Sequence, residues 1–453
     1  MSNREEVRKG HMKWVMWTTI AIVVFVVDVN SVSTNSEFEE FVAYNQNFEH
    51  NETYERNYAK RVNYDGDQVL RIYKHNDSVN DLVEQYHEHG SYSIWSNQPS
   101  IADIFVRSHM LDNVKSTLAY SKINYDVLID NVEKAIAEEN VPLTMEMQAE
   151  LEGRKGHRME WSSYHRLDDI LGYLDYLADT YPEVCSVQTI GQSVEGRPLK
   201  VLRISNGRTN APAIWIDGGI HAREWISPAS VTYIIDYLVE NSDNLQIDYY
   251  ILPVVNPDGY EHTFLSDRLW RKNKRKGYNC MGVDLNRNFG YRWGGKGTSR
   301  NMCSEIYAGN KAFSEPESDA IRNFFDASLA NFKAFLTFHS YGQYILYPWG
   351  YDQRLPPDYI DLDTVGRNAA KAMKEATDGN TVYTVGNSAI TLYPAAGGSE
   401  DFAKAMSKIK YSYTIELRDS GKYGFILPSR YIIPTAKEAL AAVQVVADAI
   451  IKS

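Results

Sequence analysis

Two short motifs place metal-binding side chains directly after apolar runs. His221 and Glu224 follow the apolar run 214–220, and His339 follows the run 334–338. Two histidines and one glutamate form a ligand set that a catalytic zinc ion takes, with a fourth position left for water. Such a site makes a water nucleophile near neutral pH, so these residues predict metal-assisted hydrolysis. Because a His-x-x-Glu motif is a weak signal by itself, the interpretation depends on the residues around it.

Further motifs follow in a fixed order along the chain. They are Asn256-Pro257-Asp258-Gly259, Arg268-Leu269-Trp270-Arg271-Lys272, Asp284-Leu285-Asn286-Arg287-Asn288, Tyr393 with Gly397-Gly398-Ser399, and Tyr413-Thr414-Ile415-Glu416-Leu417-Arg418-Asp419. With His221, Glu224 and His339, they resemble the pancreatic-type zinc carboxypeptidases, the carboxypeptidase A/B family. The resemblance runs from near Tyr164 to the C-terminus, and it implies one zinc ion held by the three ligands. A stretch upstream resembles the activation propeptide of that family more loosely.

Glu416 is the candidate general base. It ends the apolar segment 413–416, where an unpaired carboxylate is costly. Facing the site, it could take a proton from the attacking water and pass it to the leaving amine. The alternative reading is a structural ion pair with Arg418 or another cation.

The resemblance assigns roles to other residues around the reacting bond. Arg271 resembles the arginine that stabilises the developing oxyanion, and Asp284 is expected to accept a hydrogen bond from a zinc-binding histidine. The implied substrate-binding residues are Arg223, Asn286, Arg287, Ser340, Tyr341, Tyr393 and Glu400. The neighbouring basic residues Arg268, Lys272 and Lys274 are expected to be surface charges.

Exopeptidase action needs recognition of a free C-terminal carboxylate. Arg287 offers a bidentate guanidinium for that group, and Asn286 offers an amide donor. Tyr393 resembles the mobile tyrosine that closes over substrate, and the following glycines give its loop freedom. These three residues argue against a zinc amidase or deacylase that lacks exopeptidase selectivity.

Glu400 falls where the family tunes its side-chain pocket. That position is apolar in the A-type enzymes and aspartate in the B-type enzymes. A carboxylate at the pocket floor would attract Lys or Arg, so the sequence favours a B-type preference. Because glutamate is one methylene longer than aspartate, it could also turn aside, and an A-type preference for apolar C-terminal residues stays open.

Composition limits the classes of partner. The chain has 453 residues, with 43% hydrophobic and 23% charged, which is ordinary for a globular protein of two or three domains. A formal net charge of −12 argues against nucleic acid or an anionic membrane as the main partner. The expected partners are peptide or protein C-termini and an activating trypsin-like protease, and we expect a monomer.

The N-terminal region has the features of an export signal. An apolar run at 14–27 follows basic residues, and its length suits a signal peptide better than a membrane span. We therefore predict a signal peptide at 1–33, an acidic extension at 34–60, and a secreted, extracellular protein. An uncleaved signal anchor is the competing interpretation.

Residues 61–153 are predicted to form the activation propeptide. Strand-like runs at 68–73, 102–107 and 123–129 alternate with helical patterns, which suits a small α+β domain with an antiparallel sheet. The segment 154–158 carries Arg154, Lys155 and Arg158 in a polar, glycine-containing stretch, so a trypsin-like protease could cut there.

Residues 159–453 are predicted to form the catalytic domain. Apolar strands at 199–204, 211–220, 248–255, 334–338 and 412–417 alternate with helical patterns. Near-continuous apolar strands covered by helices indicate an α/β fold, here a mixed sheet sandwiched between helices as the family resemblance implies.

Cysteine usage is sparse. The family pattern pairs Cys280 with Cys303, and that bridge would restrict the unfolded chain in an oxidising compartment. Cys185 is expected to be free and buried.

A catalytically inactive, peptide-binding relative is the alternative class of function, and the presence of every zinc ligand together with Glu416 argues against it.

Overall fold

The computed structural model describes residues 61–453, except 76–78, 84–91, 378 and 453. The predicted signal peptide (1–33) and acidic extension (34–60) lie outside the described residues. All described residues belong to one compact unit. Within them, no helix combines the length and apolar character needed to cross a membrane.

The first part of the chain folds as a small α+β domain. Its elements are β1 (Gln68–Tyr73), β2 (Tyr92–Asn97), β3 (Ile101–Val106), α1 (Leu111–Tyr120), β4 (Tyr125–Ile129) and α2 (Val132–Glu139). The strands form a sheet in the order β2-β3-β1-β4, and every neighbouring pair is antiparallel. The predicted antiparallel α+β fold is confirmed.

Strand β2 has no clear signal in the sequence. Its residues YSIWSN mix polar and apolar side chains without strict alternation, and Trp95 is its buried member. It pairs with β3 at one edge of the small sheet. A half-exposed edge strand of this composition is defined by its neighbour rather than by its own pattern.

A short connector links the two domains. The charged segment 138–152 is divided between the end of α2 and a separate helix α3 (Met145–Gly153). The break contains Pro142, and Thr144 caps α3 by accepting a hydrogen bond from the backbone N–H of Met147 at 3.2 Å. Leu151 is the buried residue of α3, so this helix is weakly anchored.

The larger domain is built on one mixed sheet. Its strands are β5 (Cys185–Gln192), β6 (Pro198–Ile204), β7 (Pro212–Asp217), β8 (Asp248–Leu252), β9 (Asn331–Ser340), β10 (Tyr344–Tyr347), β11 (Thr384–Asn387) and β12 (Tyr411–Leu417). The order is β11-β10-β12-β9-β7-β8-β6-β5. The central strands β12, β9, β7 and β8 run parallel, and antiparallel pairs flank them, so the predicted mixed sheet is confirmed.

Helices cover both faces of this sheet. They are α4 (Leu167–Thr180), α5 (Ile226–Glu240), α6 (Pro257–Leu265), α7 (Pro316–Ala327), α8 (Tyr359–Glu375), α9 (Ser388–Thr391), α10 (Ser399–Ala405) and α11 (Ile432–Lys452). Alternate side chains of β7 pack against the helices on opposite faces of the sheet. Ile214 and Ile216 join the core cluster that contains α5 and α11, whereas Trp215 packs against Phe324 of α7 on the other face. A sheet buried on both faces needs such continuous apolar strands.

The small domain packs against the large domain through a shared apolar cluster. Trp95 and Phe105 of the small domain lie with Tyr341, Phe425 and Ile426 of the large domain. The Trp95 ring is 5.0 Å from the Phe425 ring, measured between centroids. This contact places β2 beside the carboxyl end of β9.

The cysteines follow the predicted pattern. Cys280 and Cys303 form a disulfide, and their Cα atoms are 5.1 Å apart. Cys185, at the start of β5, is free and buried, and its burial raises the pKa of the thiol to about 11. A thiol held protonated in this way is a packing residue rather than a nucleophile.

Candidate metal centre and active site

The parallel strands β7 and β9 bring the metal-binding residues together. His221 and Glu224 lie in the turn that leaves β7, and His339 lies next to the last residue of β9. Since parallel strands end at the same edge of a sheet, residues far apart in sequence meet there. Glu416 on β12 is in register with His339 on β9, so the same edge also receives the candidate base.

The three metal-binding side chains converge on one point. His221 Nδ1 lies 2.8 Å from Glu224 Oε1 and 3.2 Å from His339 Nδ1, and His339 Nδ1 lies 3.1 Å from Glu224 Oε2. All three residues are buried. A tetrahedral zinc ion with bonds of about 2.0–2.1 Å places its ligands about 3.3 Å apart, so this donor set fits zinc.

Asp284 supports the metal centre through hydrogen bonds with His221 and Arg271. It accepts a hydrogen bond from His221 Nε2 at 3.2 Å through Oδ1, and one from Arg271 Nη2 at 2.9 Å through Oδ2. Although burial disfavours the charged form, the Arg271 guanidinium holds the pKa of Asp284 well below its usual value. The carboxylate therefore orients His221 and Arg271 together.

Glu416 lies at the wall of the cavity without a structural ion pair to Arg418. Arg418 instead donates from Nε to Glu438 Oε2 at 2.9 Å. Desolvation raises the pKa of Glu416 to about 8; the His339 charge opposes this effect and the Glu224 charge reinforces it. A carboxyl group with a raised pKa is suited to exchange protons near neutral pH.

A cavity of about 100 Å³ opens onto the metal-binding residues. The expected site residues that line it are His221, Glu224, Arg271, Asn286, Arg287, His339, Ser340, Tyr341, Tyr393, Glu400 and Glu416. Arg223 lines an adjoining cavity of about 330 Å³, and Asp284 lies behind the wall, in contact with His221. Tyr393 stands at the rim with 40% of its surface exposed.

Asn286 and Arg287, the candidate residues for carboxylate recognition, lie in the long segment between α6 and α7. Arg287 donates from Nε to Gly297 O at 2.9 Å and from Nη1 to Asn286 O at 2.9 Å. Asn286 Oδ1 accepts from the backbone N–H of Ser399 at 2.9 Å, and Asn286 lines the cavity. These bonds orient the two side chains before any ligand is bound.

Glu400 lies in the first turn of helix α10 and lines the cavity. It is buried, and its Oε2 has no hydrogen-bond partner among the described residues. A Cβ atom at Gly350 would lie 2.6 Å from Glu400 Oε1, so a larger residue there would force the carboxylate to shift. Burial raises the pKa of Glu400, with the His339 and Arg287 charges opposing it.

The small domain closes the same cavity. Trp95, Ser96 and Asn97 of β2 line it together with the metal-binding residues. Asp103 of β3 is fully buried and accepts a hydrogen bond from the Tyr341 hydroxyl at 2.9 Å. Arg223 Nη1 donates to Ser93 Oγ at 3.2 Å. In this form of the chain, β2 therefore forms part of the wall of the cavity beside the metal-binding residues.

The interpretation of Arg268, Lys272 and Lys274 as surface charges is wrong. Arg268 is 1% exposed and donates from Nε to the buried Glu139 of the small domain at 2.7 Å. Lys272 is 4% exposed and donates to Met302 O at 2.9 Å, beside the disulfide. Lys274 is 8% exposed and lies over the Trp270 ring at 4.6 Å. The partners of Arg268 and Lys272 are distant in sequence, so the motif alone could not reveal them, whereas Trp270 lies within the motif.

Thr337 and Asp217 are site residues that the sequence interpretation missed. Thr337 Oγ1 lies 3.2 Å from His339 Nε2 and donates to Asp217 Oδ1 at 2.6 Å. A polar residue two positions before His339, within the otherwise apolar run 334–338, was the available signal. Because side chains two apart on a strand share a face, Thr337 had to lie on the side of His339.

Comparisons with known proteins agree with this geometry. The zinc carboxypeptidase family matches residues 170–442, and the carboxypeptidase activation peptide family matches residues 70–139. Carboxypeptidase B of Astacus astacus is 49% identical over 298 residues, covering 64% of this chain and 98% of that protein. Carboxypeptidase A4 of Mus musculus is 40% identical over 389 residues, covering 82% and 91%.

A solved structure extends the similarity across both domains. The crystal structure of thrombin activatable fibrinolysis inhibitor has a TM-score of 0.76 and 36% identity, covering 85% of this chain and 99% of that chain. The matched catalytic region contains the zinc-binding group His221, Glu224 and His339. The chain therefore belongs to the zinc carboxypeptidase family, as a zinc-dependent metallocarboxypeptidase zymogen with an activation peptide before its catalytic domain.

Proposed function

We propose that this protein is a secreted proenzyme whose activated form removes C-terminal Lys or Arg from peptides and proteins. The observation that carries the specificity is Glu400, a buried carboxylate that faces the cavity with one oxygen unpartnered among the described residues. A buried charge of this kind is costly unless a cation or hydrogen-bond donor meets it. The ammonium of Lys or the guanidinium of Arg would supply that partner.

The proposed reaction uses side chains already oriented in the structure. When bound, zinc polarises the carbonyl of the terminal peptide bond and lowers the pKa of water. Glu416 accepts a proton from the attacking water and transfers it to the leaving amine. Arg271 stabilises the negative charge that develops on the carbonyl oxygen.

The proposed substrate contacts complete the exopeptidase geometry. Arg287 and Asn286 bind the terminal carboxylate, and Tyr393 closes over it from the rim. Arg223, Ser340 and Tyr341 contact the residues that precede the scissile bond. Support comes from the shared cavity of these side chains and from the fixed hydrogen bonds of Arg287 and Asn286.

Specificity is tested by kcat/KM on matched peptides that end in Lys, Arg, Phe or Leu. We expect the activated enzyme to favour the basic termini by about 30-fold or more, because an apolar side chain would leave Glu400 desolvated and unpaired. Glu400→Ile should reverse the preference, and Glu400→Gln should reduce it. A preference for Phe that is unchanged in Glu400→Ile would show an A-type enzyme and place Glu400 outside recognition.

We also propose that activation begins at Arg154 or Lys155 rather than at Arg158. All three side chains are exposed, but the two sides of the segment are anchored differently. Helix α3 buries only Leu151 among its residues, so it can open locally at low cost. Met159 is 2% exposed, and cutting before it requires its removal from the core.

The residues between these bonds explain the difference. The His157 ring lies 4.8 Å from the rings of both Tyr173 and Tyr176. Gly156 adopts φ +112°, and a Cβ atom there would lie 2.3 Å from the Tyr176 ring. Opening from the α3 side therefore frees Arg154 and Lys155 first. His157 and Met159 then keep the new N-terminus attached to the catalytic domain.

Limited trypsin digestion with sequencing of the large product tests the activation site. We expect an N-terminus at Lys155 or Gly156. The double substitution of Arg154 and Lys155 by Gln should slow activation, whereas Arg158→Gln is the matched control and should not. A wild-type product that begins at Met159, formed at the same rate in the double variant, would contradict this assignment.

Export and assembly complete the proposal. The basic and apolar pattern of residues 1–33 supports a signal peptide. In this proposal an acidic extension follows at 34–60, the propeptide at 61–153 and the catalytic domain at 159–453. The disulfide between Cys280 and Cys303 is consistent with an oxidising compartment. We propose a secreted monomer without stable membrane association. Expression in eukaryotic cells tests it: full-length chain retained on membranes would indicate a signal anchor instead.

A further inference from the structure

The two zinc-binding histidines have different supports at their outer nitrogens. His221 Nε2 meets the Asp284 carboxylate directly at 3.2 Å. His339 Nε2 meets a hydroxyl instead, because Thr337 Oγ1 lies 3.2 Å away. That hydroxyl is 2.6 Å from Asp217 Oδ1. The second histidine therefore reaches a carboxylate through one intervening hydroxyl group.

The direction of these hydrogen bonds follows from the donors available. Asp217 accepts from Thr337 Oγ1 through Oδ1 and from Trp215 Nε1 at 2.6 Å through Oδ2. The hydroxyl has a single proton and gives it to Asp217, so it offers a lone pair to His339 Nε2. His339 must then carry its proton on Nε2, which leaves the Nδ1 lone pair for the metal.

The strand register makes this arrangement rigid. Asp217 on β7 is paired with Thr337 on β9, and Thr337 and His339 lie on the same face two positions apart. Thr337 is 0% exposed and Asp217 is 1% exposed, so water does not compete for these bonds. Neither residue is among the described residues that line the active-site cavity.

We propose that Thr337 and Asp217 are positioning residues of the zinc centre. They fix the tautomer and ring orientation of His339 and raise the basicity of its Nδ1 atom, as Asp284 does for His221. Outer partners of metal-binding histidines typically change metal affinity about 10- to 100-fold when removed. The inference concerns zinc affinity and does not depend on the substrate preference proposed above.

The test is the zinc dissociation constant of the full-length proenzyme, measured by competition with a chelator. Thr337→Val keeps the shape of the side chain and removes the hydroxyl, so we expect zinc binding weaker by about 10- to 100-fold. Thr337→Ser restores the hydroxyl and should bind zinc nearly as the wild type does. Thr435→Val is the matched control, because the Thr435 hydroxyl is buried on α11 and unpartnered within the described residues.

A second substitution keeps the test decisive if Thr337→Val does not fold. Asp217→Asn retains the shape of the Asp217 side chain but removes its negative charge, and we expect zinc binding weaker by about tenfold. The unfolding temperature of each zinc-free variant separates metal affinity from folding. The inference is overturned if Thr337→Val, or Asp217→Asn in its place, binds zinc as tightly as the wild type. It is equally overturned if Thr337→Ser binds as weakly as Thr337→Val.

Discussion

Three carboxyl groups of the site differ in proton affinity because their surroundings differ. Although burial opposes ionisation, the Arg271 guanidinium holds the pKa of Asp284 well below its usual value. Glu416 is desolvated, and its pKa rises to about 8. Burial also raises the pKa of Glu400. One fold thus provides an ionised carboxylate in Asp284, a carboxyl group able to exchange protons in Glu416, and a buried carboxyl group in Glu400 that favours its neutral form.

Substitution of the candidate base is the first prediction at this scale. Glu416→Gln keeps the shape of the side chain but cannot accept a proton, so kcat should fall by at least about 100- to 10,000-fold. Zinc content and peptide binding should be retained, because the metal-binding residues are intact. Turnover numbers and zinc content of the activated variant check this. Near-normal turnover would remove Glu416 from the proposed chemistry.

The residue-scale interpretation of the sequence was sound where a motif is local. His221, Glu224 and Glu416 follow apolar strands closely, so their shared sheet edge could be inferred from the pattern. Thr337 could not be assigned in the same way, because its role depends on its register with Asp217, 120 positions away. The polar side chain within an apolar run marked Thr337 locally, but no local pattern identified Asp217 as its partner.

At the scale of elements, strand register determines which side chains lie together at the site. The β9–β12 register pairs His339 with Glu416, and the β7–β9 register pairs Thr337 with Asp217. Apolar patterning predicted these strands within a few residues, because buried central strands are almost continuously apolar. It missed the edge strand β2, whose position depends on pairing with β3, and it also missed the short strands β10 and β11 of the large sheet.

A buried carboxyl group at the start of α7 predicts a pH-dependent stability. Glu317 is 0% exposed, and desolvation raises its pKa from 4.5 to about 7. It accepts from the backbone N–H of Val194 at 3.0 Å and from Asn273 Nδ2 at 3.1 Å. Glu315 adds negative charge beside it, while Arg275 pairs with Glu315 at 2.9 Å.

The direction of this pH dependence follows from the raised pKa of Glu317. Below about pH 4.5 the group is neutral in both states, and its contribution to stability is fully present. Between about pH 4.5 and 7 the unfolded chain ionises first, so the free energy of unfolding falls, by about 3 kcal/mol at most. Glu317→Gln should lack this fall and become relatively more stable as pH rises. A difference in unfolding temperature between variant and wild type that is constant from pH 5 to 8 would contradict it.

At the scale of the whole molecule, the described residues join the activation peptide to the catalytic domain through apolar packing, hydrogen bonds and the buried ion pair of Glu139 with Arg268. Trp95 and Phe105 pack against Tyr341 and Phe425, and Glu139 pairs with Arg268. Arg268 also lies 3.7 Å from the Trp225 ring centroid and donates to Phe425 O at 2.8 Å. Removal of one partner from a buried ion pair leaves an uncompensated charge.

Loss of Glu139 should therefore weaken latency. Glu139→Gln leaves Arg268 charged and buried, and the cost of breaking such pairs is about 3–5 kcal/mol. We expect measurable peptide hydrolysis before cleavage and unchanged kcat/KM after the activation peptide is removed. The exposed neighbour Glu138 provides the control, since Glu138→Gln should stay latent. Equal latency in both variants would show that the ion pair does not hold the domains together.

The most direct measurement follows activity while zinc is returned to the chelated, activated protein. The donor set of His221, Glu224 and His339 predicts no hydrolysis of a peptide ending in Arg without metal. Activity should then rise in proportion to added zinc and level off at one ion per chain, and His339→Ala should prevent this recovery. Full activity in protein shown to contain no zinc, or full recovery in His339→Ala, would contradict the account.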